Sequence, residues 1–184
     1  MIHEFLITEK YAICPDLPLE FDPKGAIKEK RFVYNYNSNG GARYGIWPRY
    51  SKTGNEVKWF TVEPHHAFHF GGCWDELNEK GESIVTLYAV VHDGIQIGLQ
   101  AEHALDPNHK QKLDKYVFNM ADGSVKKTTL IEGMYMEFPN INQHYYGHKS
   151  RYLYMACRFI PDDHVPQSED EKDNSGLTGF LKFD

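Results

Sequence analysis

The sequence predicts an all-β protein on three observations. Apolar residues recur with period two more often than with period 3.6. Aromatic residues, which favour strands, make up 14% of the 184 residues, with twelve Tyr and eleven Phe. Compact turn signals punctuate the apolar runs. In chain order, Phe5-Leu6-Ile7 and Tyr11-Ala12-Ile13 flank Thr8-Glu9-Lys10 as a first hairpin. Gly45-Ile46-Trp47 and Val57-Lys58-Trp59-Phe60 flank residues 51–55 as a second. The turn at 78–81 leads into Ser83–Val91, a nearly continuous apolar run suited to a strand covered on both faces. The clearest hairpin joins Lys115-Tyr116-Val117-Phe118 to Val125-Lys126-Lys127-Thr128 through Asp122-Gly123, a dipeptide that readily takes positive φ. Strand-like stretches at 151–159 and 176–184 complete the chain, the last alternating up to its final residue. The one helix candidate, at 101–105 and 108–113, is interrupted by Pro107 and reads as a long connection with short helical turns. Hairpin-linked strands without a long amphipathic helix point to a sandwich, a barrel or a propeller, and periodicity cannot choose among them.

Composition narrows the function classes. Twenty Lys plus Arg against twenty-six Asp plus Glu give a net charge of -6, which excludes the basic footprint of a nucleic-acid binder. Most of that charge lies between Asp162 and Asp173, within a stretch at 161–175 that has no apolar face to bury and reads as an acidic solvated loop. The three cysteines, Cys14, Cys73 and Cys157, are odd in number and widely spaced, so the simplest setting is a reducing compartment. No targeting pattern opens the chain, and no run approaches about eighteen apolar residues.

Several chemistries are absent as motifs. No Gly-x-Ser-x-Gly elbow occurs, Asn39-Gly40-Gly41 lacks the residues of a phosphate loop, and no histidine has an acid two positions later as a His-x-Asp/Glu iron motif would. Ten histidines remain. His65-His66-Ala67-Phe68-His69 is not a His-Glu-x-x-His helix, and Pro64 with Gly71-Gly72 favours a strand, in which His65 and His69 would share one face. Taken singly, each of these is more often a hydrogen-bonded or surface residue than a ligand.

Taken together, three segments carry more. They are Ile2-His3-Glu4-Phe5 through Tyr11; Trp59-Phe60 through Phe68-His69-Phe70-Gly71-Gly72-Cys73-Trp74-Asp75-Glu76; and Met136-Glu137-Phe138-Pro139-Asn140-Ile141-Asn142 followed by Tyr146 to Tyr154. In order and separation they resemble the carotenoid cleavage oxygenase family, and Arg43-Tyr44-Gly45-Ile46-Trp47-Pro48-Arg49 is similar to that family's Arg-Phe-Gly-Val-Leu-Pro-Arg stretch.

The resemblance implies a seven-bladed β-propeller with a non-haem ferrous ion, Fe(II), on its axis. Four histidines hold the ion, leaving open positions for molecular oxygen, which adds across a double bond of a carotenoid or apocarotenoid to give aldehydes or ketones. Some members isomerise, and others cleave stilbenes. On this mapping His3 is the second iron ligand and His69 the third. Glu137 accepts the other ring N–H of a ligand histidine, which fixes its tautomer and direction. Phe60, Phe68, Trp74 and Phe138 are candidates to line a polyene tunnel, with core packing as the competing reading. Gly72, Glu4 and Asp75 depart from the family's usual Asn, Asp and Glu.

The family's first ligand histidine falls upstream of His3 and its fourth beyond Asp184, so the 184 residues read as one partial propeller domain, inactive alone. A propeller closes with roughly four to eight four-stranded blades, and this length supplies about three to four of them. His92, His103, His109, His144, His148 and His164 match no ligand position and read as surface or loop residues. The implied setting is intracellular, in plastid or cytoplasm, with peripheral membrane association of the full-length protein. Two other readings stand beside this one. The first is a non-catalytic apolar-ligand binder or interaction protein built from a truncated propeller. The second is an unrelated β-sandwich, which would keep His3, His69 and Glu137 far apart.

Overall fold

The computed structural model describes residues 1–92, 111–158 and 179–184. The first sheet contains β1 (Leu6–Ile7), β2 (Tyr11–Asp16), β5 (Ala42–Pro48) and β6 (Lys58–Val62), in that spatial order and antiparallel. Between β2 and β5 the chain makes a two-stranded ribbon, β3 (Leu19–Phe21) with β4 (Tyr34–Tyr36), and a short helix α1 (Pro23–Glu29). The second sheet is a meander of β7 (Phe70–Leu77), β8 (Ser83–Val91), β9 (Lys112–Asn119) and β10 (Val125–Ile131). The third pairs β11 (Tyr135–Asn140), β12 (Leu153–Arg158) and β13 (Gly179–Phe183). Two four-stranded antiparallel sheets and a three-stranded one, stacked in sequence, are an arc of a β-propeller.

The predicted hairpins form where the turn residues demand them. Thr8 Oγ1 accepts the Tyr11 N–H at 2.9 Å, closing the first. Asn78 Oδ1 accepts the N–H groups of Lys80 and Glu82, and Gly81 sits at φ +76°. Gly123 takes φ +81° behind Asp122, whose carboxylate accepts the Ser124 N–H. Stacking of the sheets follows the period-two pattern. On β8, Val85, Leu87, Ala89 and Val91 pack toward the first sheet with Ile13, Tyr44, Ile46 and Phe60. Val90 packs the other way, with Met136, Leu153 and Met155 of the third sheet. This is the strand covered on both faces that the apolar run predicts.

Helix α1 was not expected. It buries no side chain, so no apolar periodicity announces it; its signal is the pair Asp22-Pro23, where Asp22 caps the Gly25 N–H at 3.0 Å and Pro23 takes the first helical position. Of the helix candidate near 101–113, Lys112 and Leu113 belong to β9, and residues up to 110 lie outside the described set, as does the acidic stretch at 161–175. The three cysteines are free thiols. Among the described residues no helix is long and apolar enough to cross a membrane.

Candidate metal centre

The segment joining β6 to β7 is not the strand expected from its sequence. Apart from one bridge, in which His66 and His92 exchange backbone hydrogen bonds of 2.9 and 2.8 Å, residues 63–69 are irregular. Pro64 cannot donate to a ladder, and the pairing of β7 with β8 slips at Gly71-Gly72. His65 and His69 therefore do not share a face. His65 is a core histidine: its Nδ1 donates to the Glu63 carbonyl at 2.8 Å and its Nε2 accepts from the Tyr44 hydroxyl at 2.9 Å.

His69 closes this segment just before β7. Glu4 brings the N-terminal segment to it, because a Glu4 carboxylate oxygen accepts the Phe70 N–H at 2.8 Å. Burial pushes the Glu4 carboxyl above its ordinary range, against the lowering effect of that hydrogen bond and of the nearby histidines. The neighbouring His3 ring thus meets His69 edge to face, with centroids 4.9 Å apart and planes at 83°.

Glu137 arrives from the third sheet. The β11–β12 ladder slips between Glu137 and Asn140, and Phe138 adopts φ +55°, a left-handed conformation unusual for a bulky residue. This irregularity carries the Phe138 ring to 5.0 Å from His69. One Glu137 oxygen accepts from His69 Nδ1 at 2.8 Å and from the Phe138 N–H at 2.9 Å. The other accepts from His92 Nε2 at 2.8 Å. Burial alone would raise the Glu137 carboxyl, but these donors outweigh it and hold it below the usual glutamate value.

The convergence of His3, His69 and Glu137 removes the β-sandwich reading. Phe68 and Phe138 also stand beside the histidines, Phe68 at 5.4 Å from His3. Phe60 and Trp74 do not. Phe60 is 1% exposed and packs on Phe118 at 5.1 Å, while Trp74 packs on Tyr88 beside a cavity of about 220 Å³. A larger cavity of about 360 Å³ is lined by Glu4, Phe5, Ile7, Phe70, Cys73 and Ile141, at the foot of the His3 segment. Burial drives the Cys73 thiol there up to about 12, so it faces the cavity uncharged.

His92 corrects the expectation of a surface or loop residue: it is 8% exposed and bound to Glu137. The available signal was the hairpin register, since counting outward from the turn at 78–81 places the end of β8 beside residues 66–70. His144 and His148 are exposed, as expected, and His103, His109 and His164 lie outside the described residues.

Among the described residues no group of three or more His, Cys, Asp or Glu side chains is disposed to hold a metal ion. What the site offers is a pair of imidazoles. One has its Nδ1 tied to a carboxylate, which leaves its Nε2 lone pair outward. That donor set fits part of a centre for a borderline divalent metal.

The profile of the retinal pigment epithelial membrane protein family, which covers the carotenoid cleavage oxygenases, matches residues 1–184. The chain belongs to this family. It is 35% identical over 184 residues to the carotenoid 9,10(9',10')-cleavage dioxygenase 1 of Arabidopsis thaliana, covering 100% of this chain and 31% of that protein. It is 30% identical over 158 residues to a chloroplastic 9-cis-epoxycarotenoid dioxygenase of rice, covering 85% of this chain and 26% of the relative. Among solved structures, cobalt-substituted Synechocystis apocarotenoid oxygenase superposes with a TM-score of 0.74 at 19% identity, covering 100% of this chain and 36% of that one. The lignostilbene dioxygenase of Pseudomonas brassicacearum gives 0.70 at 20% identity, covering 93% and 35%. These structural likenesses establish the propeller fold. The chain spans about a third of the length of the family members it matches.

Proposed function

We propose that this chain supplies His3 and His69 as two ligands of a ferrous ion, with Glu137 orienting His69, in an enzyme that cleaves a carbon–carbon double bond of a carotenoid or apocarotenoid with molecular oxygen. The single observation that carries the reading is the Glu137–His69 hydrogen bond of 2.8 Å. A carboxylate can only accept, so His69 carries its proton on Nδ1 and turns Nε2, with its lone pair, toward a metal. Bound Fe(II) supplies the chemistry toward oxygen that amino-acid side chains lack. Both oxygen atoms end in the two carbonyl products, so no added reductant is required. Phe68 and Phe138 flank the imidazoles and favour an apolar substrate over water. Among the described residues no third metal-ligating side chain joins this pair. The chloroplastic relatives favour a plastid setting, and a carotenoid substrate favours contact with a membrane surface.

The test is to express the complete reading frame that encodes this chain, measure bound iron, and follow apocarotenal formation under oxygen. The expected result is about one iron per protein and turnover, both lost in His69→Ala. The 184-residue chain alone is expected to give neither. Apolar-ligand binding by the complete protein without iron would favour the non-catalytic binder instead.

A further inference from the structure

We infer that His92 is a positioning residue for His69, acting through Glu137. The inference rests on the proposed metal-binding role of His69 and concerns a residue that matches none of the family's ligand or carboxylate motifs.

Geometry carries the argument. The Glu137 carboxylate lies between two imidazoles, with His69 Nδ1 at 2.8 Å on one oxygen and His92 Nε2 at 2.8 Å on the other. Because an ionised carboxylate only accepts, both rings must donate, which sets His69 as the Nδ1–H tautomer and His92 as the Nε2–H tautomer. The two oxygens are unequally held. The oxygen facing His69 also accepts the Phe138 N–H at 2.9 Å, whereas the other accepts, among the described residues, from His92 alone. Without His92 that oxygen, on a side chain only 15% exposed, loses its donor among the described residues, and the carboxylate plane can turn away from His69.

His92 is itself fixed. It follows β8 directly, exchanges two backbone hydrogen bonds with His66, and packs edge to face on Phe68 at 5.8 Å and 78°. Its side chain is 9% exposed, so water does not readily take its place. Phe68 also touches His3 at 5.4 Å, so the ring that packs on His92 reaches the second proposed ligand as well. A backbone bridge, an aromatic wall and one directed N–H thus transmit the position of β8 to the metal-facing nitrogen of His69. Partners of this kind typically change metal affinity by about 10- to 100-fold when removed.

The experiment uses the complete protein with cobalt(II) as the metal probe, titrated into metal-free wild type and into three variants. His92→Leu removes the donor. His92→Gln keeps an N–H close to the Nε2 position, and His92→Asn places its amide too short to reach Glu137. Wild type is expected to show cobalt ligand-field bands. In His92→Leu and His92→Asn the affinity should fall at least about tenfold with altered bands, and His92→Gln should restore both. Unfolding midpoints keep the comparison on folded protein, and the Gln and Asn pair decides the matter if the Leu variant does not fold. Wild-type affinity and bands in His92→Asn would overturn the role of His92 and leave the metal reading standing. A wild type that takes up no cobalt would overturn both.

Discussion

The sheet β7–β10 and the segment at 63–69 that feeds it follow opposite rules. In the sheet, β8 pairs with β9 through eight consecutive residues, from Ile84 opposite Asn119 to Val91 opposite Lys112, and it sends Val85, Leu87, Ala89 and Val91 to one core and Tyr88 and Val90 to the other. In the segment, three histidines within five residues have three fates. His65 is satisfied by Tyr44 and the Glu63 carbonyl, His66 is fully buried with neither ring nitrogen bonded, and His69 is bound to Glu137. The same contrast recurs along β11, where the pairing is regular through Glu137 and then slips at the residue that reaches His69. A ladder consumes its polar groups in pairing and sends side chains to two faces only. Irregular backbone can aim neighbouring rings in different directions, which a metal centre requires.

Three changes probe that contrast, the largest first. Phe118 is fully buried between Phe60 and Tyr44, so Phe118→Ala should destabilise the protein by about 3–5 kcal/mol in denaturant unfolding. A loss of well under 1 kcal/mol would show that the ladder core is not the main source of stability.

In the irregular segment the sign reverses. Burial, aided by the neighbouring His92, lowers the His66 imidazole from 6.5 to about 3. Between those two values the unfolded chain binds a proton that the folded chain refuses. The contribution of His66 to stability is therefore complete above pH 6.5 and falls as the pH drops toward about 3. His66→Leu should raise stability by about 1 kcal/mol at neutral pH, because two unpaired buried nitrogens disappear, and should flatten the acid slope over that interval. Parallel pH profiles of wild type and variant, read from denaturant midpoints, would contradict a buried neutral His66.

An effect no larger than that of His66→Leu concerns Phe138, which is 61% exposed at φ +55°. Phe138→Gly should be more stable than Phe138→Ala by about 1 kcal/mol, since glycine alone enters that conformation freely. Equal stabilities would mean that the backbone relaxes and that β11 does not hold the ring over His69 by strain.

Much of this was legible in the sequence, for identifiable reasons. The turn at Asp122-Gly123 and the apolar run of β8 depend on neighbours a few residues apart, so spacing alone exposes them. The ribbon β3–β4 and α1 were hidden because they bury little: α1 buries nothing, and in the ribbon only Leu19 of β3 is buried. His3, His69 and Glu137 were nameable from motif resemblance, yet nothing local says that residues 66 and 68 positions apart meet. Phe60 and Trp74 lie in packing positions away from His3 and His69 because in-out alternation of a strand is fixed by register, which motif proximity does not encode.

By itself, then, the sequence determined an all-β run of hairpins, since period-two patterning and turn chemistry are local properties, while resemblance to a family named His3, His69 and Glu137 as candidates. The tertiary structure alone decided that His92 joins them. Its place depends on the β7–β8 register slip at Gly71-Gly72, on the bulge that turns Glu137 inward, and on a third sheet stacked against the second. Those are long-range consequences of packing, in which a shift of one residue would send His92 to the opposite face.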